Sequence, residues 1–354
     1  MLKARKCVHQ VPEYSATVSN PAHRLRLDLN ESTTGCSPRV LARLNSMGAR
    51  SIALYSPREP GEDLMADFLG LAPDQVLLTN GADEAIDLLC RAFLEPGSEI
   101  VFVLPAFSMY EIFGAAAGAR VVGVPAGDDY SFPTERMLRA INPRTRMIVI
   151  TNPNNPTGAV ADRADILKIV KAAPDAAVLV DEAYFDFYGE TVMDLIGKVT
   201  NLFVVRTFSK AYGLAGLRLG ALTGAAEHMF LLRRICSPFN VNAFALECLA
   251  EALADTQFIA DYVRQVRGSR EWLRRELERL GFKCLPSHAN FVLARFGEKK
   301  SAILAALSAR GIALRDRPDC EGCVRITVGT QQEMEYLVSE LRQVLRGTTA
   351  AVAK

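Results

Sequence analysis

The chain has 354 residues, of which 49% are hydrophobic and 23% charged, and its formal net charge is +1 at pH 7. This near-neutral balance disfavours a nucleic-acid surface or a polybasic membrane anchor, and we expect neither kind of partner. No apolar stretch approaches the roughly 18 residues of a membrane span, and no signal-peptide core follows the basic N-terminus, so we expect a cytoplasmic protein.

Short apolar runs alternate with helical patterns between about Gln75 and Leu222. The runs are rich in Val, Ile and Leu and show little alternation, which is typical of strands buried in a mainly parallel sheet. Before them, Ser37-Pro38 forms a good N-cap and first-turn pair for a helix through Leu44. This order predicts a doubly wound α/β domain over residues 30–241. Its seven predicted strands are 75–79, 99–103, 120–124, 147–151, 177–181, 201–205 and 218–222.

The pattern changes after about Val241. A long helical stretch runs toward Leu280, with a predicted break near Asp255. Strand-like segments follow at 291–295, 311–315 and 323–328, together with helical segments at 299–310 and 331–344. We therefore predict a smaller α+β domain that combines residues 242–354 with an N-terminal arm, residues 1–29.

Lys210 lies in a loop of hydroxyls and glycines that directly follows the predicted strand 201–205. A lysine can form a Schiff base with an aldehyde, and Thr207, Ser209 and Arg218 can hold a phosphate beside it. Pyridoxal phosphate carries both groups, so it is the expected cofactor. Lys210 would then also serve as the base at the substrate Cα, a role worth about 10²–10⁴-fold in rate. An isolated lysine is more often a solvated surface residue, but this setting favours the functional interpretation.

Other strand ends carry polar groups that suit the same cofactor. Asp181 ends the run VLVD and can pair with a protonated pyridine nitrogen. Asn155, in NPNNPTG, and Tyr184, in DEAY, can donate hydrogen bonds to the phenolate oxygen of the cofactor. Taken alone, these residues could also be a helix cap, a turn residue and a half-buried tyrosine.

The segment NGADEA opens a predicted helix whose first N–H groups can cradle a phosphate, chiefly at Ala82 and Asp83. Phe107, in PAFSMY, can stack on a pyridine ring, although plain core packing explains it nearly as well.

Arg325 is a charged residue inside an apolar strand-like segment. A buried arginine requires a partner, which can be a structural acid or a substrate carboxylate held by a bidentate fork. Arg315, in LRDR, is a second candidate for substrate binding. Cys320 and Cys323 form a lone CxxC without the further ligands of a zinc site, so we expect no metal and assign the pair no role.

These segments together resemble the histidinol-phosphate aminotransferase family of the fold-type I pyridoxal-phosphate enzymes. The resemblance runs from Leu27 to about Leu341 and rests on DLNE, YSP, TNGADEAIDLL, PAFSMY, NPNNPTG, VDEAY, TFSKAYGLAGLR, ANFVLARF, LRDR and RITVGT. It implies the fold-type I architecture and amino transfer between glutamate and imidazole-acetol phosphate, a step of histidine biosynthesis. It also implies a homodimer with a shared site, in which Tyr55 reaches the neighbouring subunit's cofactor phosphate. Arg325 resembles the family's carboxylate fork.

The chain departs from the family pattern in three places. The usual NENP reads Asn30-Glu31-Ser32-Thr33, the usual Pro-Tyr reads Pro12-Glu13-Tyr14, and Tyr336 stands where some members carry a further arginine. All three concern the substrate, for which Tyr14 and Asn30 are candidate ligands.

Several alternative functions remain open. Two keep the cofactor: an aromatic or broad-range aminotransferase, or a phosphoamino-acid decarboxylase of the same fold. A nucleotide-binding α/β protein or a non-catalytic binding module is disfavoured, because the sequence has no GxGxxG after its first strand and no GxxxxGK[ST].

Overall fold

The computed structural model of the chain describes residues 2–14 and 25–352. Its strands there are β1 Leu25–Leu27, β2 Val76–Thr79, β3 Glu99–Leu104, β4 Arg120–Pro125, β5 Thr145–Thr151, β6 Ala177–Asp181, β7 Leu202–Thr207, β8 Gly220–Thr223, β9 Lys283–Cys284, β10 Phe291–Arg295, β11 Ile312–Asp316 and β12 Cys323–Thr327. Its helices there are α1 Pro38–Asn45, α2 Ala49–Ala53, α3 Glu59–Leu69, α4 Gly81–Phe93, α5 Met109–Ala117, α6 Thr134–Ala140, α7 Arg163–Ala172, α8 Phe185–Tyr188, α9 Ala226–Ile235, α10 Ala243–Ala254, α11 Thr256–Arg279, α12 Lys300–Ala309 and α13 Gln331–Val352.

The larger sheet in the described residues has seven strands in the order β2-β8-β7-β6-β5-β3-β4. Strand β8 is antiparallel to β2 and β7, and the remaining pairs are parallel. Both faces are buried: Met147 and Val149 of β5 pack into one apolar cluster, and Ile148 and Ile150 pack into another. The predicted α/β architecture with a mainly parallel seven-stranded sheet is confirmed.

The smaller sheet in the described residues has the order β1-β11-β12-β10-β9, with β1 parallel to β11 and the other pairs antiparallel. Its core side joins the helices α11, α12 and α13 in one cluster that includes Leu273, Ile303, Ile326 and Leu337. On the strand register, Arg315 of β11 lies directly opposite Arg325 of β12. Directly opposed residues point to the same face of a sheet, so the two arginines project from it together.

The helix boundaries follow from local capping. The Ser37 hydroxyl accepts a hydrogen bond from the Arg39 N–H at the start of α1. Asp255 separates α10 from α11 and accepts from the Phe258 N–H, which explains the predicted break. Helix α10 packs on α1 and α3, whereas α11 packs on α13. The division into residues 30–241 and residues 1–29 with 242–354 stays a prediction, and residues 1 and 15–24 of that arm lie outside the described residues.

Two sequence-based boundaries were wrong. The predicted strand 218–222 begins only at Gly220, because a 3₁₀ turn over Ala215–Leu217 leaves Arg218 in the left-handed region at φ +55°. This bend places Arg218 at the edge of the sheet rather than in its ladder. The predicted helix 331–344 continues to Val352. Within residues 2–14 and 25–352, every helix is too short or too polar to cross a membrane.

The carboxyl ends of the central strands meet at one edge of the larger sheet. Thr151 at the end of β5 pairs with Asp181 at the end of β6, and Asp181 pairs in turn with Val205 of β7. Ligand sites in open α/β sheets form at this edge.

Candidate active site

A cavity of about 390 Å³ lies at this edge, between the larger sheet and the strands of the smaller one. It collects fourteen of the fifteen residues predicted for cofactor and substrate, and Tyr55 is the exception. The fourteen lining residues are Tyr14, Asn30, Ala82, Asp83, Phe107, Asn155, Asp181, Tyr184, Thr207, Ser209, Lys210, Arg218, Arg315 and Arg325.

Lys210 lies in the loop after β7, and its amine faces the cavity. Its Nζ donates a hydrogen bond to the Leu29 carbonyl oxygen at 3.1 Å, and no acid among the described residues forms an ion pair with it. Loss of hydration, reinforced by the positive charge of Arg325, lowers the pKa of the Lys210 amine to about 8. A substantial neutral fraction near that pH is what a nucleophile or a general base requires.

Asp181 is 3% exposed and ends β6 at the floor of the cavity. One carboxylate oxygen accepts from the Tyr110 hydroxyl at 2.6 Å, and the other accepts from the Ala183 N–H at 3.0 Å. Burial raises the pKa of Asp181 to about 6, although both hydrogen bonds oppose the shift. Among the described residues no cation pairs with this carboxylate, so a protonated ring nitrogen would supply the missing charge.

Tyr110 is a site residue that the sequence analysis missed. It is fully buried, and its hydroxyl also lies 2.9 Å from the Thr151 hydroxyl. In the segment PAFSMY the sequence points only to Phe107, whose ring meets the Tyr110 ring edge-on at 5.7 Å. The position of Tyr110 in the chain could have indicated its role. It follows the end of β3, which lies at the same sheet edge as Asp181.

We expect Tyr110→Phe to lower kcat by about tenfold, since a hydrogen bond to a charged group contributes roughly 1.5–3 kcal/mol. Without that bond the Asp181 pKa rises further and the carboxylate is less available. Steady-state amino-transfer kinetics would measure the change. Tyr188→Phe is the matched control, because Tyr188 contacts His288 and does not line the cavity. An unchanged kcat in Tyr110→Phe would remove this residue from the site.

Arg325 and Asn155 contact each other across the cavity. The Asn155 amide oxygen accepts from Arg325 Nη1 at 2.6 Å, and the Asp28 carbonyl oxygen accepts from Nη2 at 2.6 Å. A guanidinium only donates, so the Asn155 oxygen must face it and the Asn155 NH₂ is left to donate elsewhere.

The structural salt bridge considered for Arg325 is absent among the described residues, where no acid pairs with it. Its buried Nε also has no hydrogen-bond partner among those residues. Burial lowers the pKa of Arg325 to about 10, so the side chain stays cationic at neutral pH. An anionic ligand is the partner that this geometry favours.

The start of α4 lines another side of the cavity, at Ala82 and Asp83. Gly81 has φ +77°, which strains other residues, and a Cβ there would lie 2.5 Å from Arg218 Nη2, so a larger residue would also shift that guanidinium. Arg218 also pairs with the Asp83 carboxylate at 3.0 Å. Thr207 donates to the Ser209 oxygen at 3.0 Å, which leaves the Ser209 hydrogen free to donate to a ligand. Helix N–H groups, the Ser209 hydroxyl and a guanidinium together suit a phosphate.

These features fit pyridoxal phosphate at each of its functional ends. Lys210 suits the aldehyde, and the unpaired buried Asp181 suits the ring nitrogen. Ser209, Arg218 and the α4 N–H groups would hold the phosphate, and Thr207 would orient the Ser209 hydroxyl toward it.

Several residues fall outside that scheme. Tyr55 is 80% exposed, stacks on Phe239 with ring centroids 4.4 Å apart, and lies away from the cavity of its own chain. Arg317, which the sequence does not predict as a site residue, lines the cavity and donates to the Ala106 carbonyl oxygen at 3.0 Å. Cys320 and Cys323 are buried free thiols.

Comparisons with known proteins agree with this site. The family model "Aminotransferase class I and II" matches residues 22–341. The chain is 34% identical to a histidinol-phosphate aminotransferase of Caldanaerobacter subterraneus subsp. tengcongensis, covering 93% of this chain and 95% of that protein. It is 35% identical to histidinol-phosphate aminotransferase 2 of Methylococcus capsulatus, covering 91% and 90%.

A solved histidinol-phosphate aminotransferase from Sinorhizobium meliloti, in complex with pyridoxal-5'-phosphate, is 26% identical and superposes with a TM-score of 0.86 over 92% of each chain. An aspartate aminotransferase from Thermus thermophilus with maleate, at 22% identity and a TM-score of 0.85 over 97% of this chain and 100% of that one, shares the fold.

Proposed function

The chain belongs to the class I and II aminotransferase family, and on that premise we propose that it transfers the amino group of histidinol phosphate to 2-oxoglutarate. The products of this reaction are imidazole-acetol phosphate and glutamate. The chain is a pyridoxal-phosphate-dependent enzyme of the fold-type I class.

The side chains divide the chemistry among them. When bound, pyridoxal phosphate supplies an electron sink for the electron pair that remains when the substrate Cα–H bond breaks. The Lys210 amine would take the Cα proton of the amino donor and, in the second half of the reaction, would deliver a proton to the Cα of the amino acceptor. Asp181 keeps a proton on the ring nitrogen, while Tyr184 and Asn155 donate hydrogen bonds to the phenolate oxygen. Arg218 and Ser209 anchor the cofactor phosphate.

The observation that carries the substrate proposal is a group of arginines at the cavity wall formed by the smaller sheet. Arg315, Arg317 and Arg325 all line the cavity beside Tyr14. Both proposed substrates carry anions that the protein must hold: a phosphate on histidinol phosphate, and on 2-oxoglutarate or glutamate one carboxylate bonded to the reacting carbon and a second at the far end of the side chain. Guanidinium groups bind either anion through paired hydrogen bonds, so one wall can serve both halves of the reaction.

A competition assay tests the substrate. Purified protein loaded with pyridoxal phosphate is supplied with 2-oxoglutarate and either histidinol phosphate or phenylalanine, and glutamate formation is measured. We expect kcat/KM for histidinol phosphate to exceed that for phenylalanine by at least about 100-fold. The reason is that the phenyl side chain offers no anion to Arg315, Arg317 and Arg325. A preference for phenylalanine would favour an aromatic aminotransferase. Release of CO₂ from a phosphoamino acid without glutamate formation would favour the decarboxylase.

We further propose that the active enzyme is a homodimer in which Tyr55 reaches the partner subunit's phosphate site. The exposed position of Tyr55, outside the cavity of its own chain, supports this arrangement.

Hybrid dimers test the shared site. Lys210→Ala and Tyr55→Phe chains are each expected to be impaired as homodimers. When they are mixed under exchange conditions, one site of each heterodimer regains both Lys210 and Tyr55. In an equal mixture half of the chains that carry Lys210 are paired with a chain that carries Tyr55. We therefore expect the activity per Lys210-containing chain to rise to about half the wild-type value. Activity equal to the average of the separate variants would contradict a shared site.

The thiols bear on the compartment. All eight cysteines are free, and free thiols persist in reducing surroundings, so we propose that the enzyme works in the cytoplasm.

A further inference from the structure

Asn30 lies in the turn after β1, where parts of both sheets converge. It is 1% exposed and adopts φ +56°, a left-handed conformation that asparagine tolerates better than most residues. Its neighbours in the turn also meet the site, because the Asp28 carbonyl oxygen accepts from Arg325 and the Leu29 carbonyl oxygen accepts from Lys210. The turn therefore connects with both side chains expected to contact the substrate.

Each of the four polar groups of Asn30 has a hydrogen-bond partner within the protein. Its N–H donates to the Thr327 hydroxyl at 2.9 Å, and its carbonyl oxygen accepts from the Asn290 amide at 3.1 Å. Its side-chain oxygen accepts from the Thr327 hydroxyl at 3.2 Å, and its NH₂ donates to the Tyr184 oxygen at 2.9 Å. These bonds give Asn30 a role within the protein, and its predicted role as a substrate ligand stays a prediction.

The structure shows which end of the amide faces Tyr184. The Thr327 hydroxyl accepts from the Asn30 N–H and donates its own hydrogen to the Asn30 side-chain oxygen. The amide oxygen faces Thr327, and the NH₂ faces Tyr184. Tyr184 accepts at this contact, so its hydroxyl hydrogen must be donated in another direction.

The position of Tyr184 limits that direction. The side chain is 3% exposed, and its ring packs edge-on against Phe291 at 5.1 Å. Tyr184 also lines the cofactor cavity. Burial raises the pKa of the hydroxyl, while the charge of Arg325 and the bond from Asn30 oppose that shift, so the hydrogen is retained at neutral pH. The cavity is the direction left for it.

We propose that Asn30 is a positioning residue that holds the Tyr184 hydroxyl as a hydrogen-bond donor toward the phenolate oxygen of the cofactor. Its backbone is held by Thr327 of β12 and by Asn290 just before β10, so the smaller sheet sets the orientation of a hydroxyl carried by the segment after β6. The inference rests on pyridoxal-phosphate chemistry and does not depend on which amino donor the enzyme prefers.

Two substitutions distinguish the effect of the Asn30 side-chain amide from the effect of the backbone conformation at this position. Asn30→Asp keeps the shape but replaces the NH₂ with an acceptor, which competes for the Tyr184 hydrogen. Asn30→Gly tolerates φ +56° and removes the side chain, so it serves as the matched control for the turn itself. Both are made in the wild-type chain and in a Tyr184→Phe chain. The dissociation constant of pyridoxal phosphate is measured by titrating cofactor-free protein, and the half-reaction with L-glutamate gives a rate.

In the wild-type chain we expect Asn30→Asp to weaken cofactor binding by about tenfold and Asn30→Gly by about threefold. In the Tyr184→Phe chain we expect each to change binding by less than about twofold, since the hydroxyl through which Asn30 acts is gone. Equal losses in both backgrounds would overturn the proposal, as would an Asn30→Asp chain with unchanged cofactor affinity. A wild-type chain that binds the cofactor and reacts with glutamate but rejects histidinol phosphate would overturn only the proposed substrate.

Discussion

Replacing Lys210 with alanine is expected to lower kcat for amino transfer by about 10⁴-fold or more. The reason is that one amine has two tasks: it holds the cofactor aldehyde, and it moves the proton at the substrate Cα. No second lysine lines the cavity among the described residues, so no other side chain there can take over. Single-turnover kinetics with glutamate would measure the loss directly.

Two further lysine variants make the result specific. Lys210→Arg keeps a cation but cannot lose its proton near neutral pH, so we expect it to be as inactive as the alanine variant. Lys168→Ala removes an exposed lysine of α7 that pairs with Asp165, and we expect wild-type kcat. The Lys210→Ala chain should still bind pyridoxal phosphate without a covalent bond, because Arg218, Ser209 and the start of α4 remain. Wild-type activity in Lys210→Ala would exclude Lys210 as the base.

Asp181→Asn is expected to lower kcat by about 10²–10³-fold, the range found when one preorganised electrostatic group is removed from an active site. The amide fits the same space but cannot stabilise a protonated ring nitrogen. Asp186→Asn is the control, because Asp186 is also raised in pKa by burial yet does not line the cavity. We expect that control to keep kcat within about twofold of wild type. An Asp181→Asn chain with full activity would contradict the assignment.

The same substitution should stabilise the cofactor-free protein at high pH. Burial raises the Asp181 pKa from 3.8 to about 6 in the folded chain, so folding is penalised once the carboxylate ionises. The penalty is absent below the unfolded-state value and complete above pH 6, where it reaches about 3 kcal/mol at roughly 1.4 kcal/mol per pKa unit. Asn carries no such penalty. In urea unfolding we therefore expect a larger gain in stability for Asp181→Asn at pH 8 than at pH 5, and a loss at pH 8 would contradict this explanation.

Much of the fold and the cofactor site could be predicted because the relevant signals are local. Buried parallel strands read as continuous apolar runs, and the polar residue at the end of each run marks the edge where the site forms. Asp181 and Asn155 were predicted in this way, and both line the cavity. Lys210 was predicted from the hydroxyls and glycines of its own loop.

The partners of these residues could not be predicted, because they come from distant parts of the chain. Tyr110 lies 71 positions before Asp181, and Asn30 lies 154 positions before Tyr184, so no local pattern connects either pair. The bend at Arg218 was missed for a different reason. A single left-handed residue at a strand start leaves little trace when its side chain is not glycine. Tyr55 remains a prediction, since its role depends on a second subunit.

The most direct test of the central claim is to locate the cofactor on the chain. Protein purified with pyridoxal phosphate is treated with borohydride to make any carbon–nitrogen link permanent, digested, and mapped by mass spectrometry. We predict one pyridoxyl phosphate group per chain, attached to the peptide that contains Lys210. Attachment at a different lysine, or a fully loaded protein with no covalent link, would contradict the account.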